Sequence, residues 1–437
     1  MPAKKFLLTS SRSMVLLLAV LFAVNAFAEQ VLHSFVSAAG GLNPNGGLVA
    51  DKAGNLYGTT TTGGTYPACS CGTVFELSPP AIKGGTWTET VLYSFQGGYT
   101  DGQGPMSPLT FDKLGNLYGT TLAGGGSNSY GTVFELSPPS QAGGAWTETV
   151  LFFFNLVQGS MPVGQLVFDE AGNLYGSTLL GGDASFCNPG SGFAGCGTVF
   201  QLTPPAAPGG TWTESVLHAF GALSTDGQIP NGLTFQNGVL YGTTGNGGTN
   251  DDGTVFQLVS ENGTWTENIL YNFTGAEGYQ PASALIFDSA GNAYGVTARG
   301  GGSSNCQEGC GVVFELSPPA AGDSWQETTL YRFTGGHDGS LPVDALIRDK
   351  SGNLYGTAVQ GGLNNKRASN NGTVFKVSPP TVSGGAWTEI DLHAFAGSTS
   401  GDGSEPYGGL ILVKGRFFGT TYQGGTSNSG AVFALSP

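Results

Sequence analysis

The sequence predicts an all-β fold, a seven-bladed β-propeller with four antiparallel strands in each blade. Three observations support this prediction. A phrase of Tyr-Gly, then Gly-Gly six residues after the Tyr, then Gly-Thr-Val-Phe or a close variant, recurs seven times. Each of the first six copies contains four short β-rich segments, and no copy has a helical periodicity. The two ends of the chain supply complementary parts of one copy, which favours a closed ring.

The repeat is regular enough to define the copies. The aromatic residues that begin the phrase are Tyr57, Tyr118, Tyr175, Tyr241, Tyr294, Tyr355 and Phe418. They lie 53 to 66 residues apart. One such unit cannot bury its own apolar face, so neighbouring copies must pack together. A β-solenoid is the alternative architecture, but it would require more even coil lengths.

The second copy shows how one blade is built. Its four predicted strands are 109–112, 116–121, 131–136 and 146–154. A tight hairpin at Lys113-Leu114-Gly115 joins the first two strands. Pro138 and Pro139 end the third strand, because proline cannot donate a hydrogen bond to a β-ladder. The copy therefore reads as a four-stranded antiparallel meander.

The seventh copy lacks a fourth strand, because the sequence stops at Pro437 directly after its third strand. Residues 29–35 align with the fourth strand of the first copy, residues 89–95. A ring that is closed by exchange of a terminal strand requires this arrangement, whereas a linear stack requires distinct capping repeats. We therefore expect the N-terminal strand to complete the last blade.

Residues 1–28 are typical of an export signal. Lys4, Lys5 and Arg12 precede an apolar run, and Ala26-Phe27-Ala28 fits a cleavage site. An uncleaved anchor helix is the alternative, but the run of about 11 residues is shorter than the roughly 20 needed to span a bilayer. We expect residues 29–437 to form a single propeller domain. The expected product is a secreted extracellular or periplasmic monomer with no membrane span.

The composition excludes several classes of partner. The formal charge is −15, and it becomes −18 without the three basic residues of the signal. Such a chain should repel nucleic acid and anionic lipid. Glycine contributes 75 of 437 residues without a three-residue period, so a collagen helix is excluded.

The hairpin pattern GLxFDxxGNLYG resembles the inner strands of NHL and SMP-30-type propeller blades. The copies GNLYGTT, GTVFEL and WTETVLYSF resemble, more specifically, the tandem GloVer repeats of secreted bacterial choice-of-anchor proteins. This resemblance implies an exported protein without an established activity, often with a C-terminal anchoring segment. The sequence ends inside the repeat, at Leu435-Ser436-Pro437, so we do not expect such an anchor here.

The six cysteines lie in the loops between the second and third strands of copies one, three and five. They are Cys69, Cys71, Cys187, Cys196, Cys306 and Cys310. Six cysteines allow 15 disulfide connectivities. Their register favours local pairing of 69 with 71, 187 with 196, and 306 with 310. Metal binding is disfavoured, because the pairs lie on alternate blades and no histidine lies in these loops.

Four copies carry an Asp-Gly step in the crossover to the next blade. The aspartates are Asp101, Asp226, Asp338 and Asp402. We expect them to surround one mouth of the central channel, where they would contact a ligand or hold Ca²⁺ through their oxygens. The alternative is that Asp-Gly is a simple turn dipeptide. No other cofactor is predicted.

His337 and Asp338 are the catalytic candidates, since they form a His-Asp pair in a crossover. The other histidines, His33, His218 and His393, occupy the position that holds Tyr93 or Tyr271 in other copies, so they are interpreted as packing residues.

The tryptophans are expected to pack between blades rather than to stack on sugars. They are Trp87, Trp146, Trp212, Trp265, Trp325 and Trp387. A second repeated residue, the aspartate that ends the first strand, is expected to bond to the hairpin backbone. It appears as Asp51, Asp112, Asp169, Asp288 and Asp349.

These features favour a secreted binding or interaction scaffold with a glycan or protein ligand at one channel mouth, rather than an enzyme. The repeat accounts for most aromatic and histidine positions, and variation is concentrated in loops, where binding sites usually lie. The alternative is a lyase or hydrolase that acts on an extracellular polysaccharide or a lactone-like substrate, which rests on fold analogy. A structural role in a surface layer is a third hypothesis.

Overall fold

The computed structural model describes residues 28–66, 68–82, 84–141, 143–182, 187, 195–207, 209–320, 324–362, 370–382 and 384–436. The predicted signal peptide, except for Ala28, lies outside the described residues. Within the described residues, no helix is long and apolar enough to cross a membrane.

The protein is a seven-bladed β-propeller, and each blade has four antiparallel strand positions. The innermost strands are Val49–Ala50, Thr110–Phe111, Ser160–Phe168, Gly227–Gln236, Tyr279–Pro281 with Ile286–Phe287, Ser340–Pro342 with Ile347–Arg348, and Ile411–Val413. The second strands are Leu56–Thr60, Leu117–Thr121, Leu174–Leu180, Val239–Gly247, Ala293–Arg299, Leu354–Gln360 and Arg416–Thr421.

The third strands are Thr73–Ser78, Thr132–Ser137, Thr198–Thr203, Thr254–Glu261, Val312–Ser317, Thr373–Ser378 and Ala431–Ser436. The outermost strands are Thr88–Ser94, Thr147–Phe153, Thr213–Ala219, Thr264–Asn272, Gln326–Arg332, Thr388–Ala394 and, for blade seven, Ala28–Ser34. Two short ladders extend blades two and seven, Gly102–Gln103 with Ala123–Gly124 and Gly403–Ser404 with Gln423–Gly424. One short 3₁₀ helix spans Ser398–Ser400.

The ring closes as predicted, through the N-terminal strand. Ala28–Ser34 pairs antiparallel with Ala431–Ser436, and Val31 lies opposite Phe433. The hydrophobic cluster at this junction combines residues of blade one with residues of blade seven. The first strand of the described chain is therefore the outermost strand of the last blade.

A complete circle of phenylalanine pairs joins the blades. In each pair, a Phe that follows an outermost strand packs edge-on against the third-strand Phe of the next blade, with ring centroids 5.0 to 5.2 Å apart. The pairs are Phe35–Phe75, Phe95–Phe134, Phe154–Phe200, Phe220–Phe256, Phe273–Phe314, Phe333–Phe375 and Phe395–Phe433. All of these rings are buried, so the contacts between blades are as apolar as a domain core.

The Tyr-Gly phrase has a steric cause. In blade one, a Cβ atom at Gly58 would lie 2.7 Å from the ring of Phe75, the third-strand Phe of the same blade. The same conflict occurs in blade two, where a Cβ at Gly119 would lie 2.6 Å from Phe134. Glycine is required because the Phe ring lies directly on the backbone of the second strand.

Two expectations for repeated residues are confirmed. Tryptophans pack between blades, as in the ring contacts Tyr57–Trp146 and Trp87–Phe418. The hairpin aspartates bond locally, since Asp169 accepts hydrogen bonds from the backbone and side-chain nitrogens of Asn173 and from the Tyr175 hydroxyl. Burial alone would raise the pKa of Asp169, but these hydrogen bonds outweigh it and lower the pKa.

Candidate functional site

A cavity of about 340 Å³ lies where all seven blades meet, and it forms the central channel. Its wall combines glycine, alanine and proline with the apolar side chains of Met106, Val163 and Val343. Each blade adds one larger polar side chain or a serine; these are Asn45, Ser107, Gln165, Asn231, Ser283, Asp344 and Tyr407. A cavity of this size lies at the lower end of the range of about 300–1,000 Å³ that small-molecule sites occupy.

Asp344 is the one charged side chain among the described residues that line this cavity. Its carboxylate accepts a hydrogen bond from the backbone N–H of Ala345 at 2.6 Å and another from Gly409 in the next blade. Burial raises its pKa to about 6, although these two hydrogen bonds act in the opposite direction. The carboxylate is thus fixed in position, and it exchanges its proton close to neutral pH.

Two amide side chains that line the same cavity are also held in place. Gln165 donates to the Leu109 carbonyl at 2.8 Å, and Asn231 donates to the Pro281 carbonyl at 2.8 Å. Each bond crosses to a neighbouring blade, so the ring itself orients these groups. The Tyr407 ring adds an aromatic surface to the same cavity.

Asp344 is not among the site residues predicted from the sequence. A signal was nevertheless present, because Asp344 lies two residues after the repeated proline of its own copy, Pro342. The other six copies carry a small residue at that position, namely Gly46, Ser107, Gly164, Gly232, Ser283 and Gly408. A single acidic residue in a position otherwise filled by glycine or serine would have marked this blade.

The four Asp-Gly aspartates lie elsewhere. None of them is among the described residues that line the channel cavity. Asp101, Asp226 and Asp338 are buried, with 4%, 6% and 7% of their surface exposed. Each aspartate lies in its own crossover, beside the outermost strands of two adjacent blades. The structure therefore does not bring the four carboxylates together, and binding of a ligand or Ca²⁺ at any of them stays a prediction.

Each crossover aspartate has partners on the outermost strand that precedes it. Asp101 accepts from the Tyr93 hydroxyl at 3.0 Å, and Asp338 accepts from the Tyr331 hydroxyl at 3.0 Å. Asp402 lies 3.1 Å from the Nε2 atom of His393. Backbone N–H groups of the crossover complete the hydrogen bonding, as at Asp101, which accepts from Gln96 and Gly102 at 2.6 Å each.

His337 and Asp338 do not form a hydrogen-bonded pair in the structure. His337 lies at the surface of the crossover, whereas Asp338 is buried and accepts from Tyr331, Thr334 and Gly336. His337 instead lies near Asp391 of the next blade, whose pKa it lowers against a larger opposite effect of burial. A catalytic role for His337 and Asp338 stays a prediction.

Two other His-Asp contacts were missed by sequence reasoning. They are His393–Asp402 at 3.1 Å and His218–Asp226 at 3.6 Å. The repeat assigns both histidines to packing, since tyrosine fills their position in other copies. The available signal was the coincidence, in the same copy, of a histidine at the tyrosine position and an aspartate eight or nine residues later.

A glutamate on every outermost strand faces the preceding crossover. The seven residues are Glu29, Glu89, Glu148, Glu214, Glu267, Glu327 and Glu389. Burial raises the pKa of six of them to about 7 or about 8, and it raises that of Glu214 as well. The nearby crossover carboxylate adds to this effect at Glu148, where Asp101 helps to raise the pKa to about 8. The outermost strands thus carry a circle of glutamates whose pKa values are all raised by burial.

Comparison with known proteins identifies the family. Residues 8–190 and 186–433 match the family model described as the Gloeobacter/Verrucomicrobia repeat. The chain belongs to this repeat family. No curated protein matches it.

Three of the solved structures that are similar to this Gloeobacter/Verrucomicrobia repeat protein have 10–15% identity to it. A luciferin-regenerating enzyme has 15% identity and a TM-score of 0.44, and the alignment covers 82% of this chain and 98% of the other. A putative oxidoreductase (glucose dehydrogenase) from Thermus thermophilus has 14% identity and a TM-score of 0.42, with coverage of 76% and 94%. An ulvan lyase bound to a GlcA-Rha3S saccharide has 10% identity and a TM-score of 0.46, with coverage of 90% and 93%.

Three disulfides support the crossovers of this repeat protein. The bonds Cys69–Cys71, Cys187–Cys196 and Cys306–Cys310 confirm the predicted local connectivity, with Cα atoms 5.2 to 5.4 Å apart. Each disulfide packs against the first glycine of the crossover that leaves the same blade. At Gly335, for example, a Cβ atom would lie 2.5 Å from the sulfur of Cys306. Each disulfide therefore connects its cysteines to the crossover of the same blade, in blades one, three and five.

Proposed function

We propose that the protein is an exported binding scaffold that holds a small polyhydroxyl ligand, such as the end of a glycan, in its central channel. Asp344 is the observation that carries this proposal, since it is a single carboxylate in a cavity whose other described lining groups are neutral. A fixed carboxylate accepts two sugar hydroxyl hydrogen bonds, and bonds of this kind to a charged group contribute about 1.5–3 kcal/mol each.

The other lining groups support the same class of ligand. The amides of Gln165 and Asn231 provide donors and acceptors, and Tyr407 provides an aromatic face for the apolar side of a sugar ring. The described lining carries no basic side chain that would attract an anion. This combination favours a neutral or cationic ligand rich in hydroxyl groups.

Export is supported by the three disulfides and by the predicted signal sequence. Disulfides form and persist mainly in oxidising compartments outside the cytosol. All described cysteines are paired, which suits an extracellular or periplasmic location.

The proposal can be tested with the mature protein and a panel of monosaccharides and oligosaccharides, by calorimetry at pH 7.5. We expect one sugar class to bind, and Asp344→Asn should weaken binding by about 10- to 100-fold, which corresponds to one hydrogen bond to a charged group. The matched control is Glu261→Gln, which removes an exposed carboxylate on the third strand of blade four.

The pH dependence provides a second test. Because the pKa of Asp344 is about 6, acidification from pH 7.5 to pH 5 should protonate the carboxylate and weaken binding by about tenfold. The Asp344→Asn variant should show no such dependence. Absence of binding across the panel, or equal affinities for the wild type and Asp344→Asn, would refute the proposal.

A further inference from the structure

Two crossovers carry the same triad of potential metal ligands. The first triad is His218, Asp226 and Glu267, and the second is His393, Asp402 and Glu29. In each, the histidine lies on one outermost strand, the aspartate lies in the crossover that follows, and the glutamate lies on the outermost strand of the next blade. One ligand atom from each residue lies within 4.8 Å of the other two.

The distances in the first triad are close to those of a metal site. The Nε2 atom of His218 lies 3.6 Å from an oxygen of Asp226 and 3.9 Å from an oxygen of Glu267. Zinc ligands bond at about 2.0–2.2 Å, so tetrahedral ligand atoms are separated by about 3.4 Å. Small side-chain rotations would bring all three atoms to that spacing.

Atoms in both triads are buried and lack a hydrogen-bond partner. In the first triad these are Nε2 of His218 and Oε1 of Glu267, and in the second it is Oε1 of Glu29. A buried polar atom without a partner costs about 1–3 kcal/mol. A cation bound between the three side chains would remove this cost at both places. Nε2 of His33 and Oε1 of Glu89, Glu148, Glu214 and Glu389 also lack a partner, so it is the combination of three ligands that distinguishes the two triads.

The aspartate of each triad is already oriented by the backbone. Asp226 accepts from the N–H groups of Gly221 and Gly227 at 2.8 Å each. Asp402 accepts from Ala396 at 2.8 Å and from Gly403 at 2.6 Å. Hydrogen bonds of this kind fix a ligating carboxylate in position.

Other blades provide an internal comparison. The tyrosine of blade one, Tyr93, replaces the histidine beside Asp101 and donates a hydrogen bond to it. His33 has a glutamate partner, Glu89, at 3.4 Å, but Gly40 takes the place of the crossover aspartate. Only the two triads, among the described residues, combine the histidine with both carboxylates.

We propose that each triad binds one divalent transition-metal ion of the Zn²⁺ type. One imidazole nitrogen and two carboxylate oxygens are hard-to-borderline ligands that suit such an ion better than Ca²⁺, which prefers six to eight oxygens. Three protein ligands leave a coordination position for water. Each ion would also neutralise the negative charge of the aspartate and the glutamate of its triad.

The second site has a consequence for ring closure. Glu29 lies on the N-terminal strand that completes blade seven, whereas His393 lies on the outermost strand of blade six. A metal bound there would cross-link the closing strand to the neighbouring blade. Metal binding to the folded state would therefore stabilise the closed ring.

The test uses the mature, untagged protein after treatment with a chelator, titrated with ZnCl₂ by calorimetry. We expect two Zn²⁺ ions per chain. His218→Tyr and His393→Tyr should each remove one ion, and the double variant should remove both. Tyrosine is the residue that the repeat carries at this position in other blades, so folding should be retained, and thermal melting without metal verifies this.

The matched control is His33→Tyr, which should retain both ions because its crossover lacks the aspartate. A rise in melting temperature upon Zn²⁺ addition should occur in the wild type and disappear in the double variant. Absence of Zn²⁺ binding would overturn the proposal, and so would a stoichiometry that the His218 and His393 substitutions leave unchanged. Saturable Ca²⁺ binding that excludes Zn²⁺ from the same positions would also overturn it.

Discussion

Substitution of Glu148 by Gln should change the way in which stability depends on pH. Glu148 lies on the outermost strand of blade two and faces the buried Asp101. Burial, assisted by the charge of Asp101, raises the pKa of Glu148 from 4.5 to about 8. The folded protein therefore takes up a proton that the unfolded chain releases between these two values.

The sign and size of the effect follow from this shift. A raised pKa in the folded state contributes stability below about pH 4.5, and this contribution is lost as the pH rises through about 8. Each pKa unit corresponds to about 1.4 kcal/mol, which sets a ceiling of about 5 kcal/mol for the full shift. The side chain is only partly buried, and solvent screening reduces the expected change to about 1–2 kcal/mol.

The assay is urea unfolding at pH 5 and at pH 9. Glutamine does not titrate, so the variant lacks this loss of stability. The free energy of unfolding of Glu148→Gln, relative to that of the wild type, should therefore be about 1–2 kcal/mol higher at pH 9 than at pH 5. The exposed Glu261→Gln substitution serves as the control and should leave the profile of the wild type unchanged. Parallel profiles for the wild type and Glu148→Gln would refute the reasoning, since they would mean that Glu148 does not hold a proton in the folded state.

Two further predictions concern the packing of the ring. Phe35→Ala should lower the free energy of unfolding by about 3–5 kcal/mol, as should its counterpart Phe95→Ala inside the chain, because both rings are buried against the next blade. Chemical denaturation measures both, and a negligible loss for Phe35→Ala alone would contradict ring closure by the N-terminal strand. Gly58→Ala should cost about 1–3 kcal/mol, since its Cβ would collide with Phe75. Gly245→Ala, where the nearest atom is 3.7 Å away, should be nearly neutral, and equal melting temperatures for the two variants would argue against the steric cause.

The fold could be predicted because the same packing contacts occur in every blade and require the same residues in every copy. Gly58 recurs in every copy because a phenylalanine ring must lie on its backbone, and that requirement is the same in each blade. The match between residues 29–35 and 89–95 identified the closing strand before its partner was known. Local pairing of the cysteines followed from their common register.

The candidate site was less predictable, because repeated positions identify packing residues, whereas the residues of the site occur in one or two copies only. Asp344 is an aspartate where the other six copies have glycine or serine. Its position in the channel depends on how the seven innermost segments converge. His393 and Asp402 are nine residues apart in sequence, but their contact depends on the path of the crossover. The position of the Asp-Gly aspartates was hard to predict for the same reason, since the sequence shows that they lie in crossovers but not at which radius of the ring.

The closing strand also determines when folding can be completed. Ala28–Ser34 is synthesised before its partner Ala431–Ser436, and the other six blades lie between them in the chain. Until that partner is made, Ala28–Ser34 has no strand with which to pair, and blade one cannot pack against blade seven. Pairing between strands that are far apart in sequence is slow, because the entropy of loop closure is lost before the stabilising contacts form. The closed ring around the channel therefore depends on pairing between the two described strands that are farthest apart in sequence.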